Sequence, residues 1–331
     1  MPARRGSSSP GRSEVLSMLR YIQTRLLAMI PVLIGMSILV FVVMRLIPGD
    51  VAVVFLGTKP TPEAIAAFRE KVGLDKPMYL QYFDWIGRLA HGDLGISLTT
   101  GTDIRTELVN RLPVTAELTF LAIVFAIVIS VPLGVISALH HNKAIDLGLT
   151  SLGMIGLSLP NFWLGTLLAF FFAIKVQWFP PGGFIPFTDD PIGNLKSMTL
   201  PALSLGLVSA SIIMRMTRSS MLEVIRQDYV RTARAKGLGA TAVTRAHMLK
   251  NALIPVITVA GMEVGYIFGG AFLIEAVFYL PGIATYALLA VNQRDYPVLQ
   301  TVVLLVTFVF MLINLIVDIL YTYLDPRLRV S

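Results

Sequence analysis

Apolar residues in this chain neither alternate nor stripe; they run on. A bilayer crossing takes about 20 predominantly apolar residues in a helix. Six stretches meet or approach that length: Leu26–Met44 between Arg25 and Arg45, about Leu118–Leu139, about Leu147–Val176 with Pro160 inside it, about Met198–Met216, about Ala252–Leu280 and about Val298–Tyr321. The fourth carries the weakest signal, because Ser204, Ser209 and Ser211 dilute it. The pattern predicts an all-α polytopic membrane protein with six transmembrane helices.

Helices are also predicted between the first two spans. Thr61 followed by Pro62 and Glu63 is an N-cap with proline at the first helical position, and Gly73 can close that helix. A second short helix is predicted from Pro77 to about Ala90, stopping at Gly92. Its Tyr79, Tyr82, Phe83 and Trp85 suit the water–lipid interface, and anchoring is preferred to a ligand site. The opening MPARRGSSSPGRSEV has no apolar core of a signal peptide and is predicted to be disordered. Met18 offers an alternative start. The chain then divides into a disordered extension (1–17), a first transmembrane helix (18–46), an extracytoplasmic loop (47–113), a membrane-spanning core (114–323) with a polar loop at about 228–251, and a tail (324–331).

Composition agrees with the spans. Of 331 residues 55% are hydrophobic and 14% charged, too little polar surface to cover a soluble domain of this size. The net charge of +7 is unevenly placed. Arg4, Arg5, Arg12, Arg20 and Arg25 precede the first span. Arg218, Arg226, Arg231, Arg234, Lys236, Arg245 and Lys250 lie between the fourth and fifth spans against Glu223 and Asp228, and Arg327 and Arg329 lie in the tail. The loop after span one mixes both signs. The positive-inside rule therefore puts both termini and the 228–251 loop in the cytoplasm.

Soluble-enzyme chemistry is missing from the motifs. There is no cysteine, no phosphate-binding G-x-x-x-x-G-K-[ST], no H-E-x-x-H and no G-x-S-x-G. His91, His140, His141 and His247 form no metal pattern, and His140–His141 reads as a solvated pair. No recognition motif accompanies the basic charge, so nucleic acid is not an expected partner.

Polar and small residues inside the spans are the remaining candidates. Gly261, Gly265 and Gly269 lie four apart on one helical face, a spacing that lets backbones approach in lipid, either within the chain or against a second subunit. Pro160 and Asn161 interrupt span three; the reading is a structural kink, with a bend lining a translocation path as the alternative. Intramembrane acids are costly and so are functional candidates. Glu263 and Glu275 in span five fit an interior position. Asn314 and Asp318 lie four apart in span six, with Asp318 near headgroup water, and no acid has an evident in-span basic partner. Pro281 and Gly282 follow span five. Pro160, Asn161, Glu263, Glu275, Pro281 and Gly282 are thus the candidate pathway or gate residues.

The stretch Asp228–Val256, "DYVRTARAKGLGATAVTRAHMLKNALIPV", is basic, alanine-rich and helical in pattern. Gly237 and Gly239 separate two helix-forming segments, either one able to hold the turn. With "LIEAVFYLPGIATYALLAVNQRDYPVLQ" after span five, "IPGD" after span one, "GLDKPMYLQYFDWIGRLAHGDLGIS" in the long loop and "DPRLR" in the tail, it resembles the permease subunits of binding-protein-dependent ABC importers, in the dipeptide/oligopeptide/nickel branch, B-type subunit. The resemblance covers nearly the whole chain from about Met18.

That resemblance implies a coupling helix that docks on a separate ATPase. Arg231, Thr232 and Ala233 stand where the family's E-A-A would lie and Gly237 at its glycine, with Lys236, Leu238, Gly239 and Ala240 completing the segment. The acid of the consensus is arginine here, and Gly237 is farther from Pro255 than in the general consensus. It also implies a non-catalytic chain in the inner membrane without a cofactor of its own, ATP and Mg being bound by two ATP-binding partner subunits. The other implied partners are a homologous C-type permease, an extracytoplasmic substrate-binding protein and the lipid bilayer. The implied substrate is a short peptide; dipeptide, oligopeptide, nickel, glutathione and haem are not told apart. The alternative is a secondary transporter driven by an ion gradient, which would want a midplane site and inverted repeats; no internal repeat is visible.

Overall fold

The structure, a computed structural model, describes residues 12–46, 51–56 and 60–324. α1 (Arg12–Leu46) is followed by α2 (Val51–Leu56), α3 (Pro62–Val72) and α4 (Met78–Ala90). Then come α5 (Ile104–Leu139), α6 (Ala144–Ser158) and α7 (Asn161–Leu168), the last prolonged by a π-helical segment, Ala169–Lys175. α8 (Pro191–Ile225), α9 (Asp228–Ala235) and α10 (Ala240–Ala242) lead through a second π-helical segment, Val243–Leu249, into α11 (Lys250–Val277). α12 (Ile283–Gln293) and α13 (Tyr296–Leu324) close the chain. Apart from an isolated bridge between Ile96 and Asp103, the described residues contain no β-structure.

Five unbroken helical stretches are long and apolar enough to cross a membrane: Ile22–Leu46, Ile104–Leu139, Pro191–Ile225, Ala240–Val277 and Tyr296–Leu320. The sixth is the α6–α7 pair, which turns through 105° at Leu159–Pro160. Pro160 therefore ends one helix and caps the next; the expected kink is a break. Proline has no N–H to give, and it pushes the residue before it out of the helical region: Leu159 is extended, at φ −96° and ψ 131°.

The helix with the weakest apolar signal stands at the centre. In its most apolar window α8 is 78% buried, against 22% for the first span and 17% for the last. It packs on α5 and α11 and also on α6 and α7. A helix surrounded by protein needs close-fitting small residues more than it needs lipid-compatible ones. Ser204 and Ser209 are fully buried. The Ser204 and Ser211 hydroxyls donate to the carbonyls of Leu200 (2.6 Å) and Leu207 (3.1 Å) on their own helix, so neither is left unsatisfied. α5 and α8 approach so closely that a β-carbon at Gly206 would lie 2.5 Å from the Ala122 carbonyl oxygen, and one at Gly134 would lie 2.7 Å from that of Met214. The apolar core fills the space between these three helices through Leu118, Ala122, Leu205, Ile213, Ile267 and Ile274. α1 is peripheral and leans on α13.

Several expected boundaries move. The first helix begins at Arg12, so residues 12–17 of the expected disordered extension are helical, while residues 1–11 lie outside the described residues. So do "IPGD" at 47–50 and "DPRLR" in the tail. The expected loop–core boundary at 113/114 falls inside α5, which starts at Ile104 behind the N-cap Asp103 and runs through Pro113. α3 forms as its caps predict: Ala64 N donates to Thr61 Oγ1 (3.3 Å) and Gly73 closes the helix at φ +73°. In α4 the aromatic set divides. Tyr79 and Phe83 are 64% and 66% exposed, whereas Tyr82 and Trp85 turn to α1. Tyr82 OH shares a 2.8 Å hydrogen bond with Ser37 Oγ, and both rings pack on Phe41.

Candidate functional site

α9 is short, and its sequence sets which side is buried. Val230 and Ala233, three apart, are buried, while Arg231, Thr232, Arg234 and Lys236 face out. Asp228 in its first turn and Arg234 in its last match the helix dipole. The buried pair packs on the π-helical segment, in one apolar cluster with its Val243 and Met248, Ala138 of α5, Met221 of α8 and Ala252 of α11. The side chain of Asn251 adds a hydrogen bond to Tyr229 OH at 2.9 Å. One small helix is thus seated on the ends of three long ones.

The turn after α9 belongs to Gly237. It sits at φ +78°, in the left-handed region that costs other residues roughly 1–2 kcal/mol. Its N–H donates to Arg234 O (3.0 Å) and that of Leu238 to Ala233 O (3.4 Å), which satisfies the last carbonyls of α9. Gly239 has φ −63° and precedes α10 as its N-cap. Lys236, Gly237, Leu238, Gly239 and Ala240 are all exposed. The segment after Gly239 continues as one helical rod, Ala240–Val277.

At the same end of the bundle lies an ion pair that the sequence did not disclose. Arg218 of α8 holds Asp146 of α6 through two contacts, Nε to Oδ1 at 2.7 Å and Nη2 to Oδ2 at 2.8 Å. Ser137 Oγ (2.5 Å) and the Asn142 N–H (2.9 Å) complete the shell of this buried carboxylate. His141 Nδ1 lies 3.2 Å from Arg218 Nη2 and 3.4 Å from Asp146. His141 stays exposed to solvent while it borders this ion pair. Residues 72 apart in sequence give no local signal of such a contact. Arg218 read as one of many loop charges.

At the opposite end, Glu275 is 0% exposed and fully engaged. It accepts from Thr115 Oγ1 (2.5 Å) and from the Thr285 N–H (3.0 Å), while Thr115 Oγ1 accepts from the Ile283 N–H (2.9 Å). These donors are the first turn of α12. Glu275 and Thr115 thus cap that helix from α11 and α5, where a carboxylate also suits the dipole. Gly282 is required by the closeness: a β-carbon there would lie 2.2 Å from the Glu275 carboxyl carbon. Pro281 beside it is exposed. Next to the cap, Arg111 lies over the Tyr286 ring (4.7 Å) and pairs with Glu107 at 2.8 Å. Burial, with the nearby Asp295 and Glu107 charges adding to it, pushes the Tyr286 hydroxyl up to about 12. Asp295 pins residues 97–99 to the start of α13, accepting from Ser97 Oγ at 2.6 Å and Thr99 N at 3.2 Å.

The remaining candidates sit apart from one another. Glu263, midway along α11, accepts from Ser209 Oγ of α8 at 2.5 Å. Asn161 begins α7 after Pro160 and lies near Gly270 of α11. Gly261 and Gly265 face Val317 and Phe310 of α13, so this part of the stripe packs within the chain; Gly269 has nothing within 4 Å and borders a small apolar cavity instead. Asp318 of α13 forms an ion pair with Arg25 of α1 at 3.1 Å, a basic partner that lies on another helix. Asn314 donates to the Phe310 carbonyl on its own helix.

Comparison with known proteins places this architecture. Residues 130–330 match the family described as binding-protein-dependent transport system inner membrane component, and residues 18–119 match the N-terminal family of the same systems. The dipeptide transport system permease protein DppB of Alkalihalophilus pseudofirmus is 44% identical, over 94% of this chain and 100% of that one. The di/tripeptide permease DppB of Pseudomonas aeruginosa is 40% identical and the dipeptide permease DppB of Escherichia coli 39%, each over 94% of this chain and 99% of its own. Among solved structures, an inward-facing MetNI methionine ABC transporter chain shares the fold at a TM-score of 0.55, with 20% identity over 66% of this chain and 96% of that one.

Proposed function

Because the chain belongs to the family of binding-protein-dependent transport system inner membrane components, we propose that it is the membrane-spanning permease subunit of an ATP-driven ABC importer for short peptides. The names of its dipeptide and di/tripeptide relatives, at about 40% identity over almost the full chain, support the substrate class. In this reading the chain forms half of the pathway beside a homologous C-type permease. Two ATP-binding subunits bind ATP and Mg, and an extracytoplasmic binding protein delivers the peptide. The subunit itself catalyses no reaction, and both termini lie on the cytoplasmic side of the inner membrane.

The observation that carries the mechanism is the seat of α9. Its exposed face (Arg231, Thr232, Lys236, Gly237, Leu238, Gly239 and Ala240) is offered to an ATPase groove, and its buried face rests on the ends of α5, α8 and α11. A push on α9 reaches three spans at once, as a rigid-body displacement that shifts the bundle between inward- and outward-open arrangements. The proposed gate at the far end is the Glu275–Thr115 cap on α12 with Pro281 and Gly282, while Pro160, Asn161 and Glu263 flank the path between.

Reconstitution tests the reading. The four-subunit complex in proteoliposomes should take up dipeptide only with ATP and binding protein. Replacing Gly237 by valine, or deleting Arg231–Ala240, should release the ATPase subunits during purification. Uptake that persists without any ATPase and follows an ion gradient would instead support the secondary-transporter alternative and defeat this one.

A further inference from the structure

At the end of the molecule away from α9, a cavity of about 640 Å³ lies between the end of α1, helices α3 and α4, and the start of α13. Its charged lining is balanced, Arg45, Lys76 and Arg88 against Glu70, Asp84 and Asp93. Lys76 and Asp84 already satisfy each other at 2.6 Å. Two buried polar atoms in this wall have no hydrogen-bond partner among the described residues: Arg45 Nε, a donor, and Gln81 Oε1, an acceptor. Such atoms cost free energy unless something fills their valence. The Gln81 amide cannot turn to avoid the problem. Its Nε2 donates to the carbonyls of Leu74 (3.0 Å) and Lys76 (2.7 Å), which an amide oxygen could not replace. The cavity thus asks for one ligand that brings an anionic oxygen to the guanidinium and an N–H donor to the amide. Such a ligand is a zwitterion with an acid group and an ammonium that keeps its hydrogens.

The surroundings choose the source. Beside Arg45 the apolar residues Val42, Val43 and Leu46 of α1 are exposed, Leu46 at 73%. Met78, Tyr79, Leu80 and Phe83 of α4 are exposed on the other side, and Phe41 and Trp85 give the cavity an apolar floor. Acyl chains cover such surfaces, and aromatic side chains of this kind sit at headgroup level. We propose that this cavity is a site for the headgroup of an amino-phospholipid of the phosphatidylethanolamine type, the phosphate on Arg45 and the ammonium on Gln81 Oε1 and the acidic wall. The inference rests on the membrane-spanning reading with α3 and α4 at the outer leaflet, and not on the peptide substrate.

The test is competitive lipid retention. The full-length chain, co-expressed with its partner subunits, is placed in nanodiscs of equal phosphatidylethanolamine, phosphatidylcholine and phosphatidylglycerol, then washed in detergent and analysed by native mass spectrometry. Phosphatidylethanolamine should be retained about tenfold over phosphatidylcholine, the effect of a hydrogen bond from a charged group. Retention by the unmodified protein should fall stepwise through the N-methyl and N,N-dimethyl lipids, which needs no variant to fold. Arg45→Gln should lower retention of every phospholipid, and Gln81→Leu should erase the preference for the primary ammonium. Equal retention of phosphatidylcholine, or a preference untouched by both substitutions, overturns the proposal. So does saturable binding of free phosphoethanolamine or dialanine, lost in Arg45→Gln, with no lipid held. None of these readouts depends on peptide uptake, so a chain that fails to import peptide leaves the lipid result standing.

Discussion

Replacing Gly282 by alanine puts a β-carbon 2.2 Å from the Glu275 carboxyl carbon and 2.3 Å from Oε2, where non-bonded atoms need more than 3 Å. The carboxylate must therefore retreat by about 1 Å. That lengthens its contacts with Thr115 Oγ1 and the Thr285 N–H, now 2.5 and 3.0 Å, past useful range. Hydrogen bonds to a charged group contribute about 1.5–3 kcal/mol each. Partial relaxation leaves an expected cost of about 3 kcal/mol, falling on the docking of α12. The chain has no cysteine, so the docking can be read directly. Ala287 is buried against α5 in the cluster with Leu108, and an Ala287→Cys label site reacts with a water-soluble maleimide when α12 lifts. Labelling should accelerate about 100-fold in Gly282→Ala, each tenfold being about 1.4 kcal/mol. In a Glu275→Ala background the obstructing carboxylate is gone, and adding Gly282→Ala should then change the rate less than about threefold, a coupling of about 2 kcal/mol or more. Additive effects, or a single substitution without effect, would refute the cap.

Other outcomes follow from the same contacts. Gly237→Val should cost about 1–2 kcal/mol through backbone strain alone, since a β-carbon there meets nothing within 4 Å, and should reduce co-purified ATPase without altering the far-ultraviolet spectrum. Asp146→Asn removes the charge partner of Arg218, whose side chain is 25% exposed, and should destabilise by about 1–3 kcal/mol, while replacing both residues with apolar ones of similar size should cost less in thermal denaturation in detergent. Gly206→Leu should prevent the α5–α8 approach and abolish stable insertion, as seen by protease protection. Tyr286→Phe removes a buried hydroxyl that has no hydrogen-bond partner among the described residues and should be neutral or stabilising. Since burial raises the Tyr286 hydroxyl to about 12, it adds no pH dependence below about pH 10, and stability falls as pH rises from there toward 12, where the unfolded chain gives up the proton that the folded chain retains. The phenylalanine variant should lose that part of the alkaline slope.

Hydropathy exposed the spans that meet lipid and understated the one that does not. The first and last spans are obvious in the sequence because 22% and 17% burial leaves them in need of apolar surface, while α8 reads weakly because protein satisfies its serines. The caps of α3 were legible because a threonine, a proline and a glycine each act within a few residues of themselves. The α9 turn was legible to within two glycines, and backbone geometry selects Gly237. The contacts of Glu275, Asp146 and Asp318 were not legible, since each partner lies on another helix: Thr115, Arg218 and Arg25. The sequence marked two of these acids as expensive and could not say what offsets the expense. Gly282 was flagged by its neighbourhood alone; only the distance to Glu275 explains it.

These long-range polar contacts share an arrangement that bears on how motion would pass through the bundle. Arg218–Asp146 fixes α8 to α6 near the α9 end. Ser209–Glu263 fixes α8 to α11 further along. Thr115–Glu275 fixes α5 to α11 at the α12 end, where the same carboxylate holds α12. Between them, glycine-mediated contact locks α5 to α8. Each tie is a directional bond between helices in a setting where apolar burial alone gives little preference for one helix rotation over another. α5, α8 and α11 are therefore bound into one body at successive depths, and α9 is seated on the end of that body through Val230 and Ala233. α1 has no such tie to these three helices among the contacts described; it leans on α13 through Arg25–Asp318. A displacement applied at α9 should thus move the α12 cap with the three-helix body, carry along α13, which Gly261, Gly265 and the cluster of Val298, Leu299 and Val302 hold to α11, α5 and α12, and leave peripheral α1 to shift against it. Distances between spin labels on α9 and α12 should stay constant between nucleotide-free and ATP-trapped complexes, while those between α1 and α8 change; a changing α9–α12 distance at fixed α1–α8 would show that the ties do not transmit the stroke.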